Sequence, residues 1–253
     1  MIPFRTDAPS HGSPIVTMTF IVANVAVYFY QLGLTPQAEL YFIYTYALVP
    51  AILSDPTVIE QTGLGTNPYL TLISNTFMHA GALHLILNMW TLWLFGGPLE
   101  DRMGRLRFTI FYFLCGAAGS YGHYIFNADS TIPALGASGA IAGVLGGYTY
   151  LFPKARVHLV QPIFFFPLIF RLPALAYTVI WFFLQVLEGA VELGTRKEGE
   201  VGGIAWWAHI GGFAAGLLLV WILCRATPPP SASDGTPTPG RSRIPSSGGM
   251  RGP

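Results

Sequence analysis

The sequence predicts an all-α, polytopic membrane protein: a bundle of six transmembrane helices with both termini cytoplasmic. Three observations predict it: a scarcity of charge, six long apolar runs, and an alternating placement of Lys and Arg between those runs. Of 253 residues only 10% are charged against 52% hydrophobic, with a mean hydropathy of +0.51. A water-soluble domain carries about 25% charged residues. The net charge of +1 gives no electrostatic ground for a nucleic-acid partner.

The apolar runs fall near 14–33, 83–99, 106–126, 137–152, 173–190 and 204–224. Each is long enough, or nearly so, to span about 30 Å of hydrocarbon at about 1.5 Å per residue. The first follows Arg5 but is long, carries Tyr28 and Tyr30 and lacks a small-residue cleavage site, so it reads as a span and not a signal peptide. Eleven of the thirteen Lys and Arg lie in four places. These are the N-terminal lead (Arg5), the connections after the second run (Arg102, Arg105, Arg107) and the fourth (Lys154, Arg156, Arg171), and the tail (Arg225, Arg241, Arg243, Arg251). The remaining connections hold only Arg196 and Lys197. Cytoplasmic loops concentrate Lys and Arg, so both ends are expected inside and the span number even.

Between the runs, residues 1–13 are a polar lead and 14–225 the membrane domain, while 226–253 form a Pro/Gly/Ser-rich tail expected to be disordered. Residues 34–82, without Lys or Arg but rich in aromatics, are expected to lie partly in the outer interface. The segment 153–172, with most of "VQPIFFFPLIFRLP", reads as a Pro-broken interfacial stretch on the cytoplasmic side. Cys115 and Cys224 sit in apolar runs and read as packing residues, and no disulfide or metal spacing appears. No metal or cofactor is expected.

Polar side chains inside a bilayer are costly, and three groups require a reason. "HAGALHLILNMW" supplies His79, His84 and Asn88, "GASG" supplies Ser138, and "WWAHIGGFAAG" supplies His209. Ser138 and His209 each lie sixteen residues before a cytoplasmic cation, Lys154 and Arg225, and His84 lies seventeen before Asp101. The rise puts all three about 24–26 Å from the inner boundary, at one level near the outer face. Gly139, Gly143 and Gly147 repeat every four residues, as do Gly212 and Gly216, a spacing that lets helices approach closely. Singly, Ser138 reads as an N-cap and His209 as a core histidine. His84 and Asn88 singly read as an interhelical pair four apart on one face, and His79 as an interfacial residue. His11, His123 and His158 have no evident partner. The joint pattern favours chemistry: a hydroxyl with an imidazole base, beside free backbone N–H groups and the His84 and Asn88 donors for an oxyanion. No carboxylate lies in the outer half of these spans, so a Ser-His dyad is expected, without a visible third member.

These same segments resemble the rhomboid intramembrane serine proteases. "GASG" is similar to that family's G-x-S-G, "AHIGGFAAG" to its A-H-x-x-G-x-x-x-G, and "HAGALHLILN" to its H-x-x-x-x-H-x-x-x-N; "EDRMG", Glu100 to Gly104, is similar to its E-x-R element. The resemblance runs from about residue 40 to 225 in the right order. It implies a six-helix bundle of rhomboid type, with Ser138 as nucleophile and His209 as general base. His84, Asn88 and the Ser138 backbone N–H would form the oxyanion hole. The implied partners are transmembrane protein substrates and the lipid bilayer, and the implied setting is a bacterial inner membrane with the site toward its outer face. Two departures stand out. Ala142 occupies the fourth position after the nucleophile, where some members carry an aromatic ring against the histidine, and residues 34–78 lack the Trp-Arg pair of many members. Trp181, Phe182 and Phe183 of the fifth span mark a candidate side for lateral substrate access. Other protease chemistries fit poorly, since there is no H-E-x-x-H and no Asp inside a span. The competing readings are a six-span transporter or channel and a non-catalytic rhomboid-like module that binds membrane proteins.

Overall fold

The computed structural model describes residues 1–55, 57, 67–163, 166–195 and 206–224. The tail 226–253, expected to be disordered, lies outside the described residues. The elements in chain order are β1 (Ile2–Thr6), α1 (Ile15–Leu32), α2 (Pro36–Tyr46), α3 (Pro50–Ser54), α4 (Thr71–Ser74), α5 (Ala82–Met103), α6 (Arg105–Phe126), α7 (Ser138–Leu151), β2 (Arg156–Ile163), β3 (Phe166–Pro173), α8 (Ala174–Thr195) and α9 (Trp206–Cys224).

Six of these helices, α1 and α5 to α9, coincide with the six apolar runs. By length and composition α1, α5 and α9 can cross a membrane. α7 has 14 residues, about 21 Å of helix, and every residue from Gly139 to Thr149 is buried. It packs against α5, α6, α8 and α9. A helix so enclosed meets other helices and not lipid, so it can be short and rich in small residues. α1 shows the opposite arrangement. Thr17, Asn24 and Gln31, seven apart, are buried, whereas Val22, Phe29 and Leu32 are exposed. Polar groups inside and apolar groups outside suit a bundle bathed in hydrocarbon.

The glycine spacing acts as the sequence suggests, with one change of face and one added helix. A Cβ on Gly212 would lie 1.9 Å from the Gly139 carbonyl oxygen, and one on Gly216 would lie 2.1 Å from that of Gly143. α7 and α9 therefore meet backbone to backbone. Gly147 instead faces Phe111 and Leu99, while Gly146 meets the Phe213 carbonyl; a turn of 3.6 residues rotates a strict four-residue repeat off the seam. α6 joins the contact, with Gly119 beside the Ala208 carbonyl and Gly122 beside that of Trp207. Cys115 and Cys224 are free and buried, as packing residues should be.

The all-α expectation needs correction at one end. The polar lead and the 153–172 segment form an antiparallel sheet in the order β1-β2-β3, pairing Ile2 with Val160 and Thr6 with Val157. β2 and β3 pair from Arg156–Pro173 to Ile163–Phe166. The prolines that suggested a break sit where a missing N–H costs little. Pro167 and Pro173 lie in the edge strand β3, and Pro162 lies past the end of β1, where β2 has one neighbour. Val157 and Leu159 are fully buried beneath the helices. Thr6 and Tyr148 share a hydroxyl hydrogen bond, and Trp90 Nε1 donates to the Pro3 carbonyl at 2.6 Å. At the same end Glu100 accepts from the Val16 and Thr17 backbone N–H groups and the Thr17 hydroxyl at 2.8–2.9 Å. Asp101 accepts from the N–H groups of His11 and Gly12. Glu100 thus satisfies free N-terminal donors of α1, whose own N-cap, Pro14, forms no side-chain bond, and Asp101 holds the segment just before the helix.

The α7–α9 contact leaves no room for a methyl group. Gly212→Ala is expected to destabilise the protein by about 2 kcal/mol or more despite alanine's better helix propensity. Thermal unfolding in detergent checks this, and an unchanged midpoint would contradict the packing.

Candidate active site

The segment before α7 is pinned from two sides. Leu48 and Ala134 exchange backbone hydrogen bonds at 2.7 and 3.0 Å, and the Gly136 N–H donates to the Asn75 carbonyl at 3.0 Å. Gly136 itself has φ +134°, a conformation that side chains with a Cβ rarely adopt. A Cβ there would lie 3.0 Å from Nε2 of His84 and 3.7 Å from Oγ of Ser138. The imidazole and the hydroxyl thus flank one small volume.

Ser138 is the first residue of α7, and the N-cap position belongs to Ala137, with no side-chain cap bond. The hydroxyl is therefore not spent on capping, contrary to its simplest reading from sequence. The first-turn N–H groups of α7 beside it lack intrahelical acceptors and carry the positive end of the helix dipole.

His84 and Asn88 lie one turn apart on α5. Asn88 is buried and its Nδ2 has no hydrogen-bond partner among the described residues. A buried amide donor without an acceptor is unusual and costly. His79, expected at the interface, is instead 1% exposed, with its ring 5.1 Å from that of His84 in an edge-on contact. Its backbone N–H donates to Gln31 Oε1 at 3.3 Å, which ties α1 to this corner. Burial, with His84 beside it, pushes the His79 imidazole down to about 3, so it is neutral at physiological pH.

His209 stands near the start of α9, next to Ala208, whose carbonyl approaches the α-carbon region of Gly139. The residue after the serine and the residue before the histidine are thus in contact. No hydrogen bond joins Ser138 to His209 directly. The His209 Nδ1 is hydrogen-bonded to Oε1 of Gln185 on α8, a partner the sequence reading missed. The rings of Trp181 and Trp206 lie 6.1 and 6.0 Å from the imidazole. Of the histidines without an evident partner, His158 meets Asp7 at 3.0 Å and the His123 carbonyl accepts from Asn127.

Comparison with known proteins decides the family. The rhomboid-domain model matches residues 66–226. The chain belongs to the rhomboid family. It is 33% identical over 161 residues to Rhomboid protein 1, mitochondrial, of Saccharomyces cerevisiae, covering 62% of this chain and 42% of that protein. RHOMBOID-like protein 4 of Arabidopsis thaliana is 34% identical over 152 residues, covering 60% of this chain and 33% of the relative. The putative rhomboid protease YdcA of Bacillus subtilis is 31% identical over 116 residues, 46% of this chain and 58% of the relative. The chain therefore spans less than half the length of the first two relatives. All four residue groups that carried the rhomboid resemblance fall within the matched range.

The turn ahead of Ser138 requires glycine for both backbone and space. Gly136→Ala is expected to cost about 1–3 kcal/mol through its positive φ. A lowered unfolding temperature in detergent checks this, and an unchanged one contradicts it.

Proposed function

We propose that this rhomboid is an intramembrane serine protease that cleaves peptide bonds in or near the transmembrane segments of membrane-protein substrates. One observation carries the reading. An uncommitted hydroxyl at the bare start of α7 faces the His84 imidazole across Gly136, beside the backbone contact that brings α9 and His209 alongside. In this reading α1 and α5 to α9 all cross the bilayer, with both termini cytoplasmic and the site toward the outer face. The sheet and the Glu100 and Asp101 hydrogen bonds then lie at the cytoplasmic end. The proposed setting is a bacterial cell membrane, which the Bacillus subtilis relative supports.

The chemistry follows from the donors and acceptors available. Ser138 Oγ attacks the scissile carbonyl carbon as His209 Nε2 takes the hydroxyl proton. The negative charge moves to the carbonyl oxygen, where the Ser138 backbone N–H, the His84 ring and the Asn88 amide can donate. Collapse of the tetrahedral adduct breaks the C–N bond, and His209 returns its proton to the leaving amine. A water, deprotonated by His209, then attacks the acyl-serine ester; the acyl C–Oγ bond breaks as His209 returns that proton to Ser138 Oγ, and the acid product leaves. Asn88 Nδ2 has no partner among the described residues, which suits a donor whose acceptor arrives with the substrate. The absence of a direct Ser138–His209 hydrogen bond also suits a site that tightens on binding. A substrate helix must unwind locally to expose its amide, so small or helix-weakening residues at the cut are favoured. α8, carrying Trp181, Phe182 and Phe183, is the proposed side of lateral access.

A fluorophosphonate probe should label the protein in lipid at Ser138. Ser138→Ala should abolish both labelling and cleavage of a reporter transmembrane substrate, and Asn88→Ala should lower kcat by about 100-fold or more. Cleavage that survives Ser138→Ala would overturn the reading, and solute transport indifferent to that substitution would favour a transporter.

A further inference from the structure

We infer that Gln185 is the positioning residue that sets the tautomer and the aim of His209. The inference rests on the protease reading and adds to the expected dyad a third, uncharged member from another helix.

Gln185 is 7% exposed, and its Oε1 is hydrogen-bonded to His209 Nδ1. An amide oxygen only accepts, so the bond requires the proton on Nδ1 and leaves the lone pair on Nε2. That is the nitrogen that must take the serine proton. A neutral imidazole without such a partner populates both tautomers and rotates about two bonds, and only one arrangement is productive. Trp181, one turn before Gln185 on α8, and Trp206 confine the ring laterally, and Gln185 fixes its rotation. A carboxylate in this place would carry a full charge into the bundle; an amide supplies the acceptor without that cost. The arrangement also links two events. Gln185 belongs to α8 and His209 to α9, so the base is aimed only while α8 is seated against α9. α8 is the element proposed to face the arriving substrate. The amide has one alternative orientation: turned over, its NH2 would donate to Nδ1 and force the proton onto Nε2, where it would block the base.

The test compares wild type, Gln185→Leu and Gln185→Glu, each as full-length protein in lipid nanodiscs with a reporter transmembrane substrate. Gln185→Leu should lower kcat by about 10–100-fold, the range found where the hydrogen-bond partner of a metal-bound histidine is lost, with KM held within about twofold. Gln185→Glu keeps an acceptor oxygen within reach and should recover most of the lost kcat. Nitrogen-15 NMR of histidine-labelled protein, with the signal assigned by its loss in His209→Asn, should show Nδ1 protonated and Nε2 bare in the wild type. If Gln185→Leu does not fold, the NMR signature and the Gln185→Glu rate decide. Serine-dependent cleavage that is unchanged in Gln185→Leu, or an Nε2-protonated wild type, overturns the role of Gln185 and leaves the protease reading standing. A wild type that cleaves nothing overturns the protease reading and the role together.

Discussion

The contact between α7 and α9 is the constraint on which the rest of the molecule depends. Gly139 and Gly143 present bare carbonyls to Gly212 and Gly216, and the approach is too close for any side chain. Within a bilayer there is no hydrophobic drive to bring two helices together, so van der Waals contact of this kind must do it. Ser138 is the residue before that seam and His209 lies one turn before Gly212. Backbone packing thus sets how closely the helices that carry the hydroxyl and the imidazole approach. α6 reinforces the arrangement by adding Gly119 and Gly122 to the same knot.

The two ends of the bundle are built differently. At the sheet end the polar groups are paired: Glu100 serves three donors, Asp101 two, and Thr6 meets Tyr148. At the Ser138 end several are not, with Asn88 Nδ2 and both ring nitrogens of His79 lacking partners among the described residues. Unpaired buried polar groups lower stability; Asn24 Oδ1 on α1 and Tyr112 OH on α6 lack partners among the described residues as well, and in the proposed reading the Asn88 donor meets its acceptor in the substrate. The fastened end holds the helices in register while the other end keeps its donors free.

Much of this was legible in the sequence. The six helices follow from hydropathy, because a run of apolar residues in lipid has no alternative to satisfying its own backbone. The approach of His84 and Ser138 at Gly136 was readable because each polar group stood out against an apolar run. Gln185 carried the same signal, a lone amide in "WFFLQVL", and so did Asn24 and Gln31 in the first span. They were passed over because a single amide suggests no reaction until its partner is known. The sheet was illegible for a different reason. Its first strand lies at the start of the chain and the other two far along it, and strand pairing between Ile2–Thr6 and Arg156–Ile163 leaves no local periodic mark. Prolines that break an isolated strand are harmless at an edge, but which strand is the edge is known only once the sheet is assembled.

The central claim is that one hydroxyl and one imidazole, on helices held together by glycine, work as a pair. The most direct measurement is an experimental structure in lipid of the protein with a mechanism-based inhibitor bonded to Ser138, read for the distance between Ser138 Oγ and His209 Nε2. The account predicts a separation of about 3 Å, within hydrogen-bond reach. A separation beyond about 10 Å, too far for one proton to pass between them, would contradict it.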